Sequence, residues 1–260
     1  MENVVKHGQS PFSAAFLHGG PGAAGEMSYL AEKLSKNRGI LEPLQTKCSI
    51  EEQVEELHQA LHENVSEPVS LLGYSWGAWL ALIYTVQHPK LVKKLILLSS
   101  GPLEENYAQR IMETRLTRLS SEEKEELKDC LSGQAKVAPQ EEKLLEAKIR
   151  ALLEKSDGHD LLDLPRPPIA FSYEIYAHVN EEAKRLRKEG VLVELLAQLS
   201  VPIVAIHGEY DPHPYQGVEE PLRLYAKNFQ FHLIKDSGHC IWRERRGEKE
   251  LLELLERCIG

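Results

Sequence analysis

The stretch Val69-Ser70-Leu71-Leu72-Gly73-Tyr74-Ser75-Trp76-Gly77-Ala78-Trp79-Leu80-Ala81-Leu82-Ile83-Tyr84 decides how the chain folds. Its opening residues form a short apolar run of the kind a buried strand needs, and its closing residues read as a helix. Between them, Gly73-Tyr74-Ser75-Trp76-Gly77 spells G-x-S-x-G. Strand, sharp turn and helix with serine at the apex is the setting in which this motif presents a hydroxyl as a nucleophile over the end of a sheet. Bulky side chains beside the serine would collide with the strand and helix, which is why glycines flank it. The helix begins where negative charge would develop, so its free N–H groups and dipole favour an anion there. On its own the pentapeptide also fits an ordinary glycine-flanked turn. Its weight comes from the segments around it.

Working outward, Phe12 to Leu17 reads as a buried strand running into His18-Gly19-Gly20-Pro21-Gly22. Glu26 to Lys36 has helical periodicity, and Ile40 to Leu44 reads as a short strand. Ser49-Ile50-Glu51-Glu52 is a capping box, followed by one apolar helix face through Val54, Leu57 and Leu61. Past the serine turn the helix stops at His88-Pro89, and Leu95-Ile96-Leu97-Leu98 is another buried strand. Alternation of strand and helix predicts a parallel α/β sheet. From about Leu103 to Gly190 the texture becomes charged and helical. Helices are expected from Ser120-Ser121-Glu122-Glu123, from Gln140 to Lys155 behind Pro139, and from Ser172 to Lys188, with a breaker-rich loop at Leu164-Pro165-Arg166-Pro167-Pro168. The α/β pattern resumes at Val201 to His207 and closes with a strand, Phe229 to Ile234, and a helix, Glu248 to Cys258. The expected organisation is an α/β core of residues 1–103 and 190–260 carrying a helical cap of residues 104–189.

A serine nucleophile needs a base, and the base needs an acid to orient it. With this elbow the chain order is serine, acid, histidine. The strand at Ile203 leads into His207-Gly208-Glu209-Tyr210-Asp211-Pro212, which places Asp211 just past a strand's carboxyl end, where α/β sheets carry their sites. After the last strand comes Asp236-Ser237-Gly238-His239, which places His239 equivalently. The expected catalytic residues are Ser75, Asp211 and His239. Glu209 and Asp236 compete as acids, and His18, His207, His213 and His232 as histidines. Taken singly, Asp211 is also a plain Asp-Pro turn residue and His239 a plain loop histidine. The glycines of His18–Gly22 let the backbone approach a reacting carbonyl, so the N–H groups of Gly20 and Trp76 are the expected oxyanion donors. A phosphate loop is the alternative, but neither G-x-G-x-x-G nor Gly-Lys-Ser/Thr is present.

Composition narrows the classes. The chain has 260 residues, 42% of them hydrophobic, enough for a sizeable core. Its net charge of −9 speaks against general nucleic-acid or anionic-membrane binding, both of which need clustered cations. The N-terminal residues lack the apolar core of a signal peptide and no run suits a transmembrane helix, so a cytoplasmic location is expected. Cys48, Cys130, Cys240 and Cys258 are scattered and expected as free thiols. No metal or organic cofactor is implied. The oligomeric state is not fixed by the sequence.

Taken together, the elbow, His18–Gly22, Asp211 and His239 resemble the α/β-hydrolase fold, serine-hydrolase type. His-Gly-Gly-Pro-Gly with tryptophan after the serine is similar to the proline iminopeptidase branch. The resemblance covers residues 8–103 and 190–260. It implies a mostly parallel sheet with an inserted helical cap and an acyl-enzyme mechanism that releases N-terminal residues from small peptides or amides. Family members carry an N-terminal hairpin before the oxyanion loop. Here 17 residues precede His18, so a sheet shortened by one or two strands is expected. The branch binds the substrate's amino group through acidic residues, at least one in the cap, and Glu174 is the candidate by position. A carboxylesterase, thioesterase or carbon–carbon bond hydrolase on small acyl substrates is the alternative enzyme reading. A non-catalytic ligand-binding module on the same fold is the alternative outside enzymes.

Overall fold

The computed structural model describes residues 3–133, 139–164 and 169–259. Along the chain, the sheet and the helices through the serine turn are β1 (Val4–His7), β2 (Phe12–Leu17), β3 (Ala23–Ala24), α1 (Ser28–Leu34), β4 (Gly39–Pro43), α2 (Ile50–Asn64), β5 (Val69–Tyr74), α3 (Trp76–Gln87) and β6 (Val92–Leu98). The segment that follows holds α4 (Glu105–Thr117), α5 (Ser121–Gly133), α6 (Pro139–Asp157), β7 (Ala170–Phe171), α7 (Tyr173–Lys188) and α8 (Val191–Gln198). The chain closes with β8 (Ile203–Gly208), α9 (Gln216–Tyr225), β9 (Phe229–Ile234) and α10 (Gly247–Ile259).

Seven strands form one sheet in the order β1-β4-β2-β5-β6-β8-β9. All neighbours are parallel except β1, which runs antiparallel to β4 at one edge. Side chains alternate across the sheet with the period of two that a pleat imposes. Leu71, Leu95, Leu97 and Ala205 face a layer built from α2, α3, α7, α8 and α9. Leu72, Ile96, Leu98, Val204 and Ile206 face the opposite layer of α1 and α10. Burial on both faces explains why β5, β6 and β8 read as nearly unbroken apolar runs. A small satellite core of Leu119, Leu127, Cys130, Ile149 and Leu152 holds α5 against α6.

Most expected elements stand where the sequence places them. Phe12–Leu17 and Phe229–Ile234 match exactly, and Pro139 is the first residue of α6 rather than the residue before it. Proline is favoured there because its missing N–H would have no partner in a first turn. The loop expected at Leu164–Pro168 lies outside the described residues from Pro165 onward. Five features went unread, the short helix α8 among them. β1 is a short edge strand with exposed positions and hence no apolar run. β3 and β7 are two residues each, and they pair Ala23 with Phe171, tying the glycine loop to the inserted segment. α4 has no buried residue and so no apolar stripe. α9 contains Pro221, a residue that reads as a breaker. Cys48, Cys130, Cys240 and Cys258 are free thiols. Among the described residues no helix is long and apolar enough to cross a membrane.

Candidate active site

Close approach of backbone to backbone fixes the serine turn. A methyl group at Gly73 would overlap the carbonyl of Gly77, and one at Gly77 would meet the carbonyls of Leu17 and His18. Between these glycines Ser75 takes φ 52°, a left-handed conformation that L-residues avoid. Its N–H bonds to the carbonyl of Leu98 at 3.0 Å, which locks the turn to the neighbouring strand β6. Trp76 is the first residue of α3, where helix geometry leaves N–H groups without an intrahelical partner.

Ser75, His239 and Asp211 come from three separate strand ends and meet. His239 Nε2 lies 3.1 Å from Ser75 Oγ, and His239 Nδ1 lies 2.7 Å from Asp211 Oδ2. An ionised carboxylate only accepts, so Nδ1 carries the proton and Nε2 is free to accept from the serine hydroxyl. Burial alone would push the Asp211 carboxyl up. His239, His213 and His207 around it outweigh that and hold it well below the usual carboxylate range. Burial works against a charged His239 as well, but the Asp211 carboxylate beside it leaves the ring above the ordinary imidazole value. The competing acids lie elsewhere: Glu209 is exposed, and Asp236 pairs with Arg246.

The glycine loop stands beside the elbow. His18 is fully buried, its Nδ1 near the carbonyl of Gly19 at 2.9 Å and its Nε2 near that of Leu44 at 2.7 Å, so it braces the loop. Gln45 bridges the same loop to the elbow. Its amide donates to the carbonyl of His18 and accepts from the indole N–H of Trp76 at 3.0 Å. Gly20 has φ 29° and its carbonyl accepts from Ala23 N–H, a tight turn that glycine tolerates.

Comparison with known proteins agrees with this architecture. Residues 42–142 match the family model described as alpha/beta hydrolase fold. VinJ superposes with a TM-score of 0.69 at 15% identity, over 99% of this chain and 95% of its own. The proline iminopeptidase of Mycobacterium smegmatis gives 0.62 at 16% identity, over 98% and 92%. The thioesterase domain from the curacin biosynthetic pathway gives 0.59 at 16% identity, over 97% and 93%. The chain has the α/β-hydrolase fold.

In this α/β-hydrolase-fold chain a cavity of about 320 Å³ opens beside His239. Tyr74 and Cys240 wall it from the sheet side, and Ile149, Leu153, Phe171 and Tyr176 from the inserted helices and β7. Its surface is mostly apolar. Glu174, the expected amine anchor, is exposed in the first turn of α7 and does not line it. The α7 side chain that reaches the cavity is Tyr176, two residues on and so turned to another side of the helix.

Several site residues escaped the sequence reading because their types are common on any surface. Glu26 lines the cavity and accepts the N–H of Gly19 at 3.0 Å. Burial pushes its carboxyl up to about 7, against the pull of His239 and the Gly19 N–H. Glu244 is fully buried and accepts three backbone N–H groups, those of Gly238, His159 and Asp160, at 2.8 to 2.9 Å. It therefore clamps the His239 loop to the chain following α6. His239 N–H adds a bond to the carbonyl of Asp157 at 3.0 Å, and Arg115 holds the Asp157 carboxylate through two bonds of 2.7 Å. Asp211, His213 and His239 also place ligand atoms within 4.8 Å of one another. Hydrogen bonds within that group already account for the spacing.

Proposed function

We propose that this chain is a serine hydrolase working through an acyl-enzyme. The hydrogen-bonded series Ser75–His239–Asp211 at the edge of a largely apolar cavity carries the reading. Ser75 Oγ attacks a carbonyl carbon while His239 Nε2 takes its proton. The N–H groups of Gly20 and Trp76 receive the developing oxyanion, and Asp211 stabilises the imidazolium. His239 then protonates the leaving group, and water activated by the same ring releases the acyl group from Ser75. The helices and β7 inserted between β6 and β8 act as a cap in this account, supplying the outer cavity wall.

For the substrate, we propose release of an N-terminal residue from small peptides or amides, in the manner of a proline iminopeptidase. Glu26 supports it, since a carboxyl at the cavity wall gives a substrate ammonium a partner that Glu174 cannot supply. Hydrolysis of small esters or thioesters is the second reading, favoured by the apolar wall. A panel of aminoacyl-naphthylamides against short p-nitrophenyl esters tests both. Preference for Pro-naphthylamide, lost on acylating its amine, supports the peptidase. Turnover of esters alone would discard it in favour of the esterase.

A further inference from the structure

The Asp211 carboxylate serves more than one imidazole. Its Oδ2 faces His239 Nδ1 at 2.7 Å and His207 Nε2 at 3.2 Å. Its Oδ1 faces both the backbone N–H and ring Nδ1 of His213, each at 2.8 Å. A carboxylate offers roughly four lone-pair sites, so these donors fill it. The His213 ring also stacks on the His239 ring, with centroids 4.2 Å apart and planes 27° from parallel. His207 Nε2 is placed to share its proton with the carbonyl of His213 at 2.9 Å, which closes the arrangement.

We propose that His213 is a positioning residue for the base: its ring pins the second oxygen of Asp211, divides that carboxylate's charge and backs the face of the His239 imidazole. This rests on the reading of His239 as the base. The chemistry requires a neutral His213. A second cation stacked on His239 would repel the imidazolium formed during catalysis. Burial supplies that neutrality, with His239 adding to it, and brings His213 down to about 4 despite the Asp211 carboxylate. Facing a carboxylate, the neutral ring keeps its proton on Nδ1 and donates it to Oδ1. The other groups facing this pair are Arg115, which opposes charge on both rings, Asp157, which favours it on His239, Glu26, coupled to His239 across the cavity, and Tyr74, whose ring lies 5.0 Å from that of His239.

Removing the His213 ring leaves Oδ1 with the backbone N–H and turns more of the charge toward His239. The imidazolium is then favoured and the base loses its backing. Histidine Hε1 NMR titrations on wild type, His213→Leu and His213→Asn test this, with the His239 signal assigned by His239→Gln. In His213→Leu the His239 midpoint should rise by about half a pH unit or more. The acid limb of kcat/KM should move with it, with about a tenfold loss at pH 7. Asparagine keeps a donor near the Nδ1 position and should restore both to within about threefold. If leucine does not fold, His213→Ala carries the same expectation. A folded variant with an unmoved midpoint and profile, or an asparagine variant no better than leucine, would overturn the proposal. Midpoints that move as stated in a protein that hydrolyses nothing would uphold the coupling and overturn the hydrolase reading.

Discussion

Ser75 holds a strained backbone and is itself replaceable without cost to packing, so Ser75→Ala should fold with an unchanged Tm. Its kcat/KM on the best ester or amide should fall at least about 10³-fold, measured against wild type. With His239 as the proposed base, its protonation should set the acid limb. Its ring sits above the ordinary imidazole value, so activity should rise with pH through a midpoint above 6.5. Glu26 gives an independent signature in stability. Its folded value of about 7 exceeds its ordinary 4.5, so the native state favours the protonated form. The stability it contributes is complete below 4.5 and is lost as pH rises through about 7. Glu26→Gln should therefore raise Tm relative to wild type at pH 8 and lose that advantage at pH 5, in a thermal melt series. At this scale the meeting of Ser75, His239 and Asp211 was legible because each sits at a fixed offset from a recognisable strand. His213 was read only as a competing histidine, and Glu26, Gln45 and Glu244 were not read at all. Their roles come from burial and from hydrogen bonds to distant backbone, and a glutamate in sequence looks alike in either setting. Glu174 shows the converse, a plausible type at a plausible position whose helix turns it to solvent.

At the scale of elements, the elbow works only because β5 and α3 approach without side chains at Gly73 and Gly77. Gly73→Ala should cost about 4 kcal/mol or more, seen as lost soluble expression or a collapsed denaturant midpoint. The His239 loop depends on Glu244 in a similar way. Glu244→Ala would strand three backbone N–H groups and should destabilise by about 3 kcal/mol, with a broadened His239 resonance as the local readout. The central strands were legible from apolar runs because they are buried on both faces. β1, β3 and β7 lack such runs, since an edge strand and two-residue pairings bury too little to leave a pattern. α9 was hidden by Pro221, whose surroundings in the packed layer outweigh its local preference.

For the whole molecule, a parallel sheet between two helical layers delivers Ser75, Asp211 and His239 from separate strand ends to one point. The helices inserted between β6 and β8 help to wall a cavity of about 320 Å³ beside His239. Such a volume suits a small acyl or aminoacyl group, so p-nitrophenyl acetate and butyrate should be turned over faster than the palmitate ester. The order of strand, helix and insertion was legible from alternating texture. The cavity was not, because its wall joins residues far apart in sequence, such as Glu26 with Phe171. The most direct test of the account is labelling with a fluorophosphonate, followed by peptide mass mapping. The account requires a single adduct on Ser75, absent in Ser75→Ala and strongly slowed in His239→Gln. An unlabelled wild type, or an adduct on any other residue, would contradict it.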